Sequence, residues 1–256
     1  MFIHLSIFLG AVMPSTVYFD PAIPLEGRMH IAFNELEIEA EIKAAVLSLL
    51  ANLRDKGPVV FEHYEHSIRV ALVVRAIARF LGLNERVALY AGLLHDVGKA
   101  SVDQDVLGKT DGWSKNDALV MEAHSIIGWC LLHELFDFVA EIIVRHHWFQ
   151  SRSYPANLPE PSREFTQGDL EEINLYARLL ALADTYDAMH RLDKRGGRPL
   201  TGEEIKGRLL QTNPDWSHIV SRLYDVGILT TQIFGLVGQS TEPPVDNDAD
   251  QTLPPL

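Results

Sequence analysis

Cysteine, basic residues and long apolar runs are all scarce in this sequence of 256 residues. A single cysteine, Cys130, excludes a disulfide framework and a cysteine-based zinc cluster. Lys and Arg number 22 against 35 Asp and Glu, and the resulting formal net charge of −13 argues against a protein that grips a nucleic acid polymer. The apolar run at residues 1–13 is too short to span a bilayer and follows no Lys or Arg, unlike a secretory signal. We therefore expect a cytoplasmic protein without a membrane span.

Strand patterns are also missing, because no long stretch alternates apolar and polar residues, whereas helical periodicity runs through most of the chain. The predicted fold class is all-α, a compact bundle of helices. Residues 1–57 are expected to form an N-terminal arm and a helix, 58–235 the main domain, and 236–256 a disordered acidic tail rich in proline. The predicted helices begin with one capped by Asn34 and then cover 61–81, 85–94, 114–134, 136–147, 170–191, 201–211 and 214–225, with loops at 100–112 and 149–167.

Eleven histidines are many for this length, and several stand at spacings suited to metal ligands. Glu62 and His66 are four residues apart, so they share one face of the predicted helix. A carboxylate and an imidazole on one face can bind one metal ion, although a solvated helix surface is the commoner meaning of such a pair taken alone. His63 lies on roughly the same side, and the spacing does not decide between Glu62 and His63.

The segment His95-Asp96-Val97-Gly98-Lys99 closes a strongly apolar helix. Because a helix that apolar is buried, His95 and Asp96 lie at the wall of the core, where ionisable groups need a partner or a metal. Successive helical residues point about 100° apart, so Asp96 can bridge two metals while His95 binds one. Gly98 permits a sharp turn, after which Lys99 points back as a cation. An ordinary helix C-terminus, with a glycine cap and a lysine that interacts favourably with the helix dipole, is the alternative interpretation. It explains Gly98 and Lys99, but not the buried His-Asp pair.

Further histidines and acids stand beside apolar helix faces at His124, His146, His147 and Asp184. Each alone fits an ordinary core or surface position, although Asp184 lies inside an apolar run where a carboxylate is costly unless it is paired or metal-bound. Asp187 shares the helical face of Asp184. Taken together, five histidines and three acids favour a metal centre. The expected ligands are Glu62, His66, His95, Asp96, His124, His146, His147 and Asp184.

The order of these residues resembles the HD superfamily of metal-dependent phosphohydrolases. The matching segments are His66-Ser67-Ile68-Arg69, His95-Asp96-Val97-Gly98-Lys99 and Asp184-Thr185-Tyr186-Asp187. The additional ligands Glu62, His124, His146 and His147 resemble the HD-GYP branch, which is associated with hydrolysis of the bacterial second messenger cyclic di-GMP. The resemblance covers roughly residues 58–225 and implies a helical HD-type domain that acts as a metal-dependent phosphodiesterase.

The signature segment of that branch, approximately His-His-Glu-x-x-Asp-Gly-x-Gly-Tyr-Pro, is altered here. Residues 146–155 read HHWFQSRSYP, which keeps Tyr-Pro but lacks the Glu, the Asp-Gly and the second Gly. The glycines of the branch are expected to shape a loop beside the substrate, so their loss leaves the metal ligands alone but puts the substrate in doubt. We assign substrate contacts to Arg69, Tyr154, Lys194 and Arg198.

The mechanism that the resemblance implies is hydrolysis of a phosphodiester by a hydroxide held between two metals that Asp96 bridges. Eight ligands suffice for two or three divalent metals, and the mixture of imidazoles and carboxylates favours iron or manganese, with zinc as a further candidate. Lys99 either stabilises charge on the phosphoryl oxygens or protonates the leaving oxygen.

Two alternative functions stay open. A nucleotide phosphohydrolase of the HD type with a single metal needs His66, His95, Asp96 and Asp184 alone. A receptor without catalytic activity binds a cyclic dinucleotide through the altered loop but does not turn it over. In every case the partner is a small nucleotide rather than a nucleic acid polymer, and the assembly is a monomer or a homodimer.

Overall fold

A computed structural model describes residues 20, 22–109, 111–150, 153–190 and 200–230, and within these ranges every regular element is a helix. The all-α prediction is confirmed. None of the helices in these ranges is long and apolar enough to cross a membrane. The α-helices are α1 (Leu25–Glu35), α2 (Ala40–Arg54), α3 (Pro58–Leu81), α4 (Glu85–Leu94), α5 (Gln104–Leu107), α6 (Lys115–Leu132), α7 (Asp137–Arg145), α8 (Gln167–His190), α9 (Gly202–Thr212) and α10 (Ser217–Asp225). Short 3₁₀ segments cover Val97–Ser101, His146–Phe149 and Pro214–Trp216.

Helix α3 runs through the centre of the bundle. Its residues from Ile68 to Ala78 are apolar except Arg69 and Arg75, and the apolar ones are all buried, because α4, α8, α2 and α1 pack around it. A helix that is apolar on nearly every side needs neighbours on nearly every side. Each fully buried aliphatic side chain contributes about 1.5–3 kcal/mol. The centre of α3 is therefore a rigid support for the polar residues at its N-terminal half.

Side-chain caps fix several helix starts. Asn84 accepts hydrogen bonds from the backbone N–H groups of Arg86 and Val87, and α4 follows over the range that was predicted. Ser114 and Asp117 form a capping box that starts α6. These caps satisfy N–H groups that have no partner inside the helix.

The N-terminal part of the fold differs from the prediction. Asn34 does not cap a helix but lies in the last turn of α1, which was not predicted. The chain leaves α1 through Glu37, whose φ is 49°, while the amide of Ile38 donates to the carbonyl of Phe33. This pattern of a left-handed residue after a helix is a C-terminal cap, so the segment that looked like a helix start is a helix end. Pro58, at the predicted domain boundary, occupies the first turn of α3.

Helices α1 and α2 share the core of the main domain. Met29, Phe33, Leu50 and Leu53 are buried in the same apolar cluster as α3. The predicted loop at 100–112 contains the short helix α5. The predicted tail, 236–256, lies outside the described residues.

Two glycines allow backbones to approach closely around the polar end of the bundle. A Cβ on Gly92 would lie 2.3 Å from the Cα of Ala71, so α4 crosses α3 at a distance that only glycine permits. A Cβ on Gly98 would lie 2.0 Å from the carbonyl oxygen of His124. Gly98 therefore serves close packing of the His95–Lys99 turn on α6, in addition to the turn predicted for it.

Candidate metal centre

Two groups of buried side chains lie at the polar end of the bundle, and in each group the candidate ligand atoms all lie within 4.8 Å of one another. The first group comes from α3 and from the end of α4, and the second from α6 and from the 3₁₀ turn after α7. The first group is His66, His95 and Asp96, and the second is His124, His146 and His147.

The carboxylate of Asp96 lies between the two groups. Its Oδ2 atom is 3.6 Å from His66 Nε2 and 3.5 Å from His95 Nε2. Its other oxygen, Oδ1, is 3.4 Å from His124 Nε2. One carboxylate thus offers one oxygen to each group, which is the geometry expected of a bridging ligand.

Asp184, in the middle of α8, joins the first group. Its Oδ1 atom is 3.1 Å from His66 Nε2 and 4.0 Å from His95 Nε2. Its Oδ2 atom accepts a hydrogen bond from the Gln150 amide at 3.2 Å. Because α8 packs directly on α3, a residue some 120 positions later in the chain meets His66.

All five buried histidines use Nδ1 for hydrogen bonds to the surrounding protein. Three of them, His95, His124 and His146, face the backbone carbonyl three residues earlier. His66 faces the carboxylate of Asp187, and His147 faces the side-chain oxygen of Gln150. Since these partners accept hydrogen bonds, each ring in its neutral form carries its proton on Nδ1 and presents the lone pair of Nε2.

These lone pairs converge. His66 and His95 bring their Nε2 atoms to 3.3 Å, and His124 and His147 bring theirs to 3.2 Å. Two acceptor nitrogens at that separation repel each other unless a cation or proton lies between them. In addition, the buried atoms Asp96 Oδ1 and His146 Nε2 have no hydrogen-bond partner among the described residues. Buried polar atoms are rarely left unpaired, so this donor set fits divalent metal ions.

Burial favours the neutral form of the imidazoles of His95, His124, His146 and His147. It lowers the pKa of His124 and of His146 to about 3, and that of His147 to about 2, far below the ordinary value of 6.5. Burial likewise lowers the pKa of His95. A histidine must be neutral to bind a metal, so the site stays ready for metal at neutral pH.

Arg69 and Asp187 support His66 from behind. Arg69 donates to Asp187 through Nε at 2.7 Å, and Asp187 in turn holds His66 Nδ1. Burial opposes ionisation of Asp187, but His66 and then Arg69 outweigh it and hold the pKa of this carboxyl well below its usual range. The sequence analysis assigns Arg69 to substrate binding and does not predict its ion pair with Asp187.

Lys99 and His63 lie at the opening of the site. The Lys99 ammonium is 2.7 Å from Asp96 Oδ2 and 3.5 Å from His63 Nδ1. His63 is also 3.6 Å from Asp96 Oδ2, so of the two residues between which the spacing did not decide, His63 faces the site. Glu62 is exposed and belongs to neither group. Its assignment as a ligand stays a prediction.

Tyr154, in the altered segment after His147, packs against the second group. The ring of Tyr154 stacks on His147, with centroids 4.2 Å apart, and stands edge-on to His124. Trp148 donates to the carbonyl of Pro155 and so ties the loop to the 3₁₀ turn. The other two residues assigned to the substrate, Lys194 and Arg198, lie outside the described residues.

A family model described as the HD domain matches residues 63–189, the segment that contains seven of the eight predicted ligands. The chain belongs to the HD-domain family. Its HD domain implies divalent metal binding, and the two groups of buried side chains could hold the ions.

Relatives of this HD-domain protein include three bacterial phosphodiesterases. A 3′3′-cGAMP-specific phosphodiesterase of Vibrio cholerae is 27% identical over 91% of this chain and 47% of that protein. A cyclic di-GMP phosphodiesterase response regulator of Xanthomonas campestris is 31% identical over 66% of this chain and 43% of that protein. A cyclic di-GMP phosphodiesterase of Pseudomonas aeruginosa is 31% identical over 77% of this chain and 49% of that protein. The chain thus spans less than half the length of each.

Solved structures also match this chain, among them the crystal structure of the HD domain of a phosphodiesterase from L. monocytogenes. Its sequence identity to this chain is 17% and its TM-score is 0.45, with 72% of this chain and 94% of that chain covered.

Sequence reasoning missed Gln150 and the role of Asp187. The spacing of three residues between Asp184 and Asp187 was a usable signal for Asp187, since it puts both on one face of α8. No pattern pointed to Gln150, because its two partners come from a neighbouring turn and from a distant helix.

Proposed function

We propose that the chain is a metal-dependent phosphodiesterase that hydrolyses a cyclic dinucleotide, with cyclic di-GMP as the first candidate. The observation that carries the proposal is the pair of buried ligand groups that meet at Asp96 with their Nε2 lone pairs turned inward. The names of the relatives supply the substrate class. That the chain is a member of the HD-GYP branch is part of this proposal.

Two or three divalent ions are proposed, with iron or manganese favoured by the mixture of imidazole and carboxylate ligands. When bound, such ions lower the pKa of water, so that a nucleophile is available at neutral pH, and they neutralise phosphate charge. The ligands proposed for them are Glu62, His66, His95, Asp96, His124, His146, His147 and Asp184. Glu62, which is exposed, is proposed for a third ion.

Lys99 is proposed as the catalytic cation. Its side chain is 13% exposed, and its ammonium has three N–H groups, one of which donates to Asp96. A remaining N–H can hold a phosphoryl oxygen or give a proton to the ribose oxygen as the phosphorus–oxygen bond breaks. Opening one phosphodiester of a cyclic dinucleotide in this way yields a linear dinucleotide that ends in a phosphate.

Four residues are proposed to hold the substrate. The side chain of Arg69 is 21% exposed and uses Nε and one terminal nitrogen on Asp187, so the rest of its guanidinium can face a phosphate. Tyr154 is proposed as the wall of the pocket beside His147. Lys194 and Arg198 are proposed to bind phosphates or guanine.

The test is an anaerobic purification, with metals counted per chain, followed by a screen of cyclic dinucleotides and deoxynucleotides. We expect at least two metals per chain and conversion of a cyclic dinucleotide to a linear product. One metal per chain with activity on nucleotides alone identifies the single-metal phosphohydrolase. Tight binding without product, in the presence of iron or manganese under reducing conditions, identifies the receptor.

His124→Ala separates these functions further, since it removes a member of the second group and spares the first. Hydrolysis that survives His124→Ala contradicts a mechanism that uses both groups. His218→Ala, at an exposed position of α10, is the matched control and is expected to leave hydrolysis unchanged.

A further inference from the structure

Helix α6 carries apolar side chains on the side that faces solvent. Its inner face carries the buried residues His124, Gly128 and Leu132. The opposite face presents Leu119, which is 62% exposed, and Ile126, which is 37% exposed. An exposed apolar stripe on a helix commonly marks an interface.

The stripe has a regular spacing. Leu119, Ala123, Ile126 and Cys130 follow one another at intervals of four, three and four residues, which keeps them on one face of α6. Leu135, 70% exposed, follows just after the helix. We call the four residues Leu119, Ala123, Ile126 and Cys130 the outer stripe.

Charged residues stand at the two ends of the outer stripe. Lys115 is at the N-terminal end of α6, and Glu134 follows its C-terminal end, and both are exposed. Lys115 lies about 50° from the line of the stripe at 100° per residue, and Glu134 lies in the turn that follows the helix. The surface thus runs from a positive end to a negative end, with Glu122 beside its apolar middle.

We propose that the outer stripe binds a second copy of this chain, with the two α6 helices antiparallel about a twofold axis near residues 124 and 125. In this register Ala123 faces Ile126 of the second copy, Leu119 faces Cys130, and Lys115 faces Glu134. Every pair occurs twice, so the positive end of each copy meets the negative end of the other. The small side chain of Ala123 leaves room for Ile126 at the crossing point.

The occupant is a second copy because the charge pattern matches itself when it is reversed. A surface that is positive at one end and negative at the other attracts its own antiparallel image. A single helix pair buries less area than most permanent interfaces, so the dimer is expected to dissociate on dilution.

The test is sedimentation equilibrium of the metal-loaded full chain over a concentration series. We expect the mass to rise from one chain to two, and Leu119→Glu or Ile126→Glu to keep it at one. Phe61→Glu, which changes an exposed apolar residue on α3, is the control and is expected to leave the dimer intact. If the wild-type mass stays at one chain at every concentration, the proposal is wrong. That holds whether the stripe is exposed to solvent or covered by residues outside the described ranges.

Charge exchange tests the register. Lys115→Glu is expected to weaken the dimer by bringing like charges together, and Lys115→Glu combined with Glu134→Lys is expected to restore it. A double variant that remains as weak as the single one overturns the antiparallel pairing.

A cysteine pair tests the same contact without weakening it. Leu119→Cys is expected to form a disulfide between chains with the native Cys130 under mild oxidation, and Cys130→Ser in the same variant to abolish it. Gln211→Cys, exposed on α9, is the control for random collisions. A dimer that shows no more cross-linking in Leu119→Cys than in Gln211→Cys overturns the proposed interface.

Discussion

Gln150 ties His147 to Asp184. Its side-chain oxygen accepts a hydrogen bond from His147 Nδ1 at 2.8 Å, and its amide nitrogen donates to Asp184 Oδ2 at 3.2 Å. One amide therefore orients one member of the second ligand group and the carboxylate that joins the first. Only a side chain with both an acceptor and a donor can do this.

Gln150→Glu removes the donor and keeps the size of the side chain. The new carboxylate still accepts from His147 but repels Asp184, so metal affinity is expected to fall about 10–100-fold, as when other supporting contacts of metal ligands are lost. The measurement is titration of the metal-free protein with manganese by calorimetry. Gln167→Glu, which makes the same change at an exposed position of α8, is the control. Equal affinity in Gln150→Glu and the wild type contradicts the role of the amide.

Asp187→Asn tests the support behind His66. An amide cannot hold the His66 Nδ1 proton and the Arg69 guanidinium as a carboxylate does, so the Nε2 lone pair loses its fixed direction. Metal affinity is expected to fall about 10–100-fold. Metal content after dialysis against a weak chelator measures this. The control is Asp215→Asn, because the exposed carboxylate of Asp215 pairs with Arg178 away from the site. If the two variants retain equal amounts of metal, the supporting role given to Asp187 is wrong.

Gly98→Ala tests the close contact between the His95–Lys99 turn and α6. The added Cβ would lie 2.0 Å from the His124 carbonyl oxygen, so backbone must move, and the free energy of unfolding is expected to fall by about 1–3 kcal/mol. Chemical denaturation measures it. Gly207→Ala in α9, where a Cβ meets nothing within 4 Å, is expected to stabilise the protein slightly. A Gly98→Ala variant as stable as the wild type contradicts the contact.

The metal-free protein is expected to lose stability as pH falls below about 6.5. In the unfolded chain histidines bind protons near that pH, whereas burial lowers the folded pKa of His63 to about 4 and those of His124 and His146 to about 3. The unfolded state therefore binds more protons between these values, and each histidine lowers stability by up to about 1.4 kcal/mol per pH unit. Melting temperatures of chelator-treated protein from pH 7.5 to 5 measure the slope. His124→Gln should make the slope shallower and His218→Gln should not, and a Tm that is constant over this range contradicts buried neutral histidines.

The sequence predicted the fold where the signals were local. The Asn84 cap and the apolar run after it define α4 in both the sequence and the structure. The segment around Asn34 led to a wrong prediction, because Asn34 followed by Glu37 has the same pattern as a capping box. The segment is instead the end of α1, where the carbonyl of the buried Phe33 accepts a hydrogen bond from the amide of Ile38.

Residue types and their spacing in the sequence predicted which side chains could bind metal, but not how those side chains are arranged in space. Periodicity placed Asp96 and His124 on buried faces, and the structure brings them to within 3.4 Å. The contacts of Gln150 and Arg69 could not be predicted in this way, because they depend on how the loop after His147 and α8 meet across the bundle. The side on which Glu62 and His63 lie was likewise set by packing rather than by spacing.

The bonds from His95, His124 and His146 to carbonyls of their own helices have one further consequence. The rings are aimed by the backbone on which they stand, so the cavity keeps its shape before any ion arrives. Such a cage fixes the ligand type and the geometry before an ion binds, and among the ions that it accepts the supply in the cell would decide the occupant.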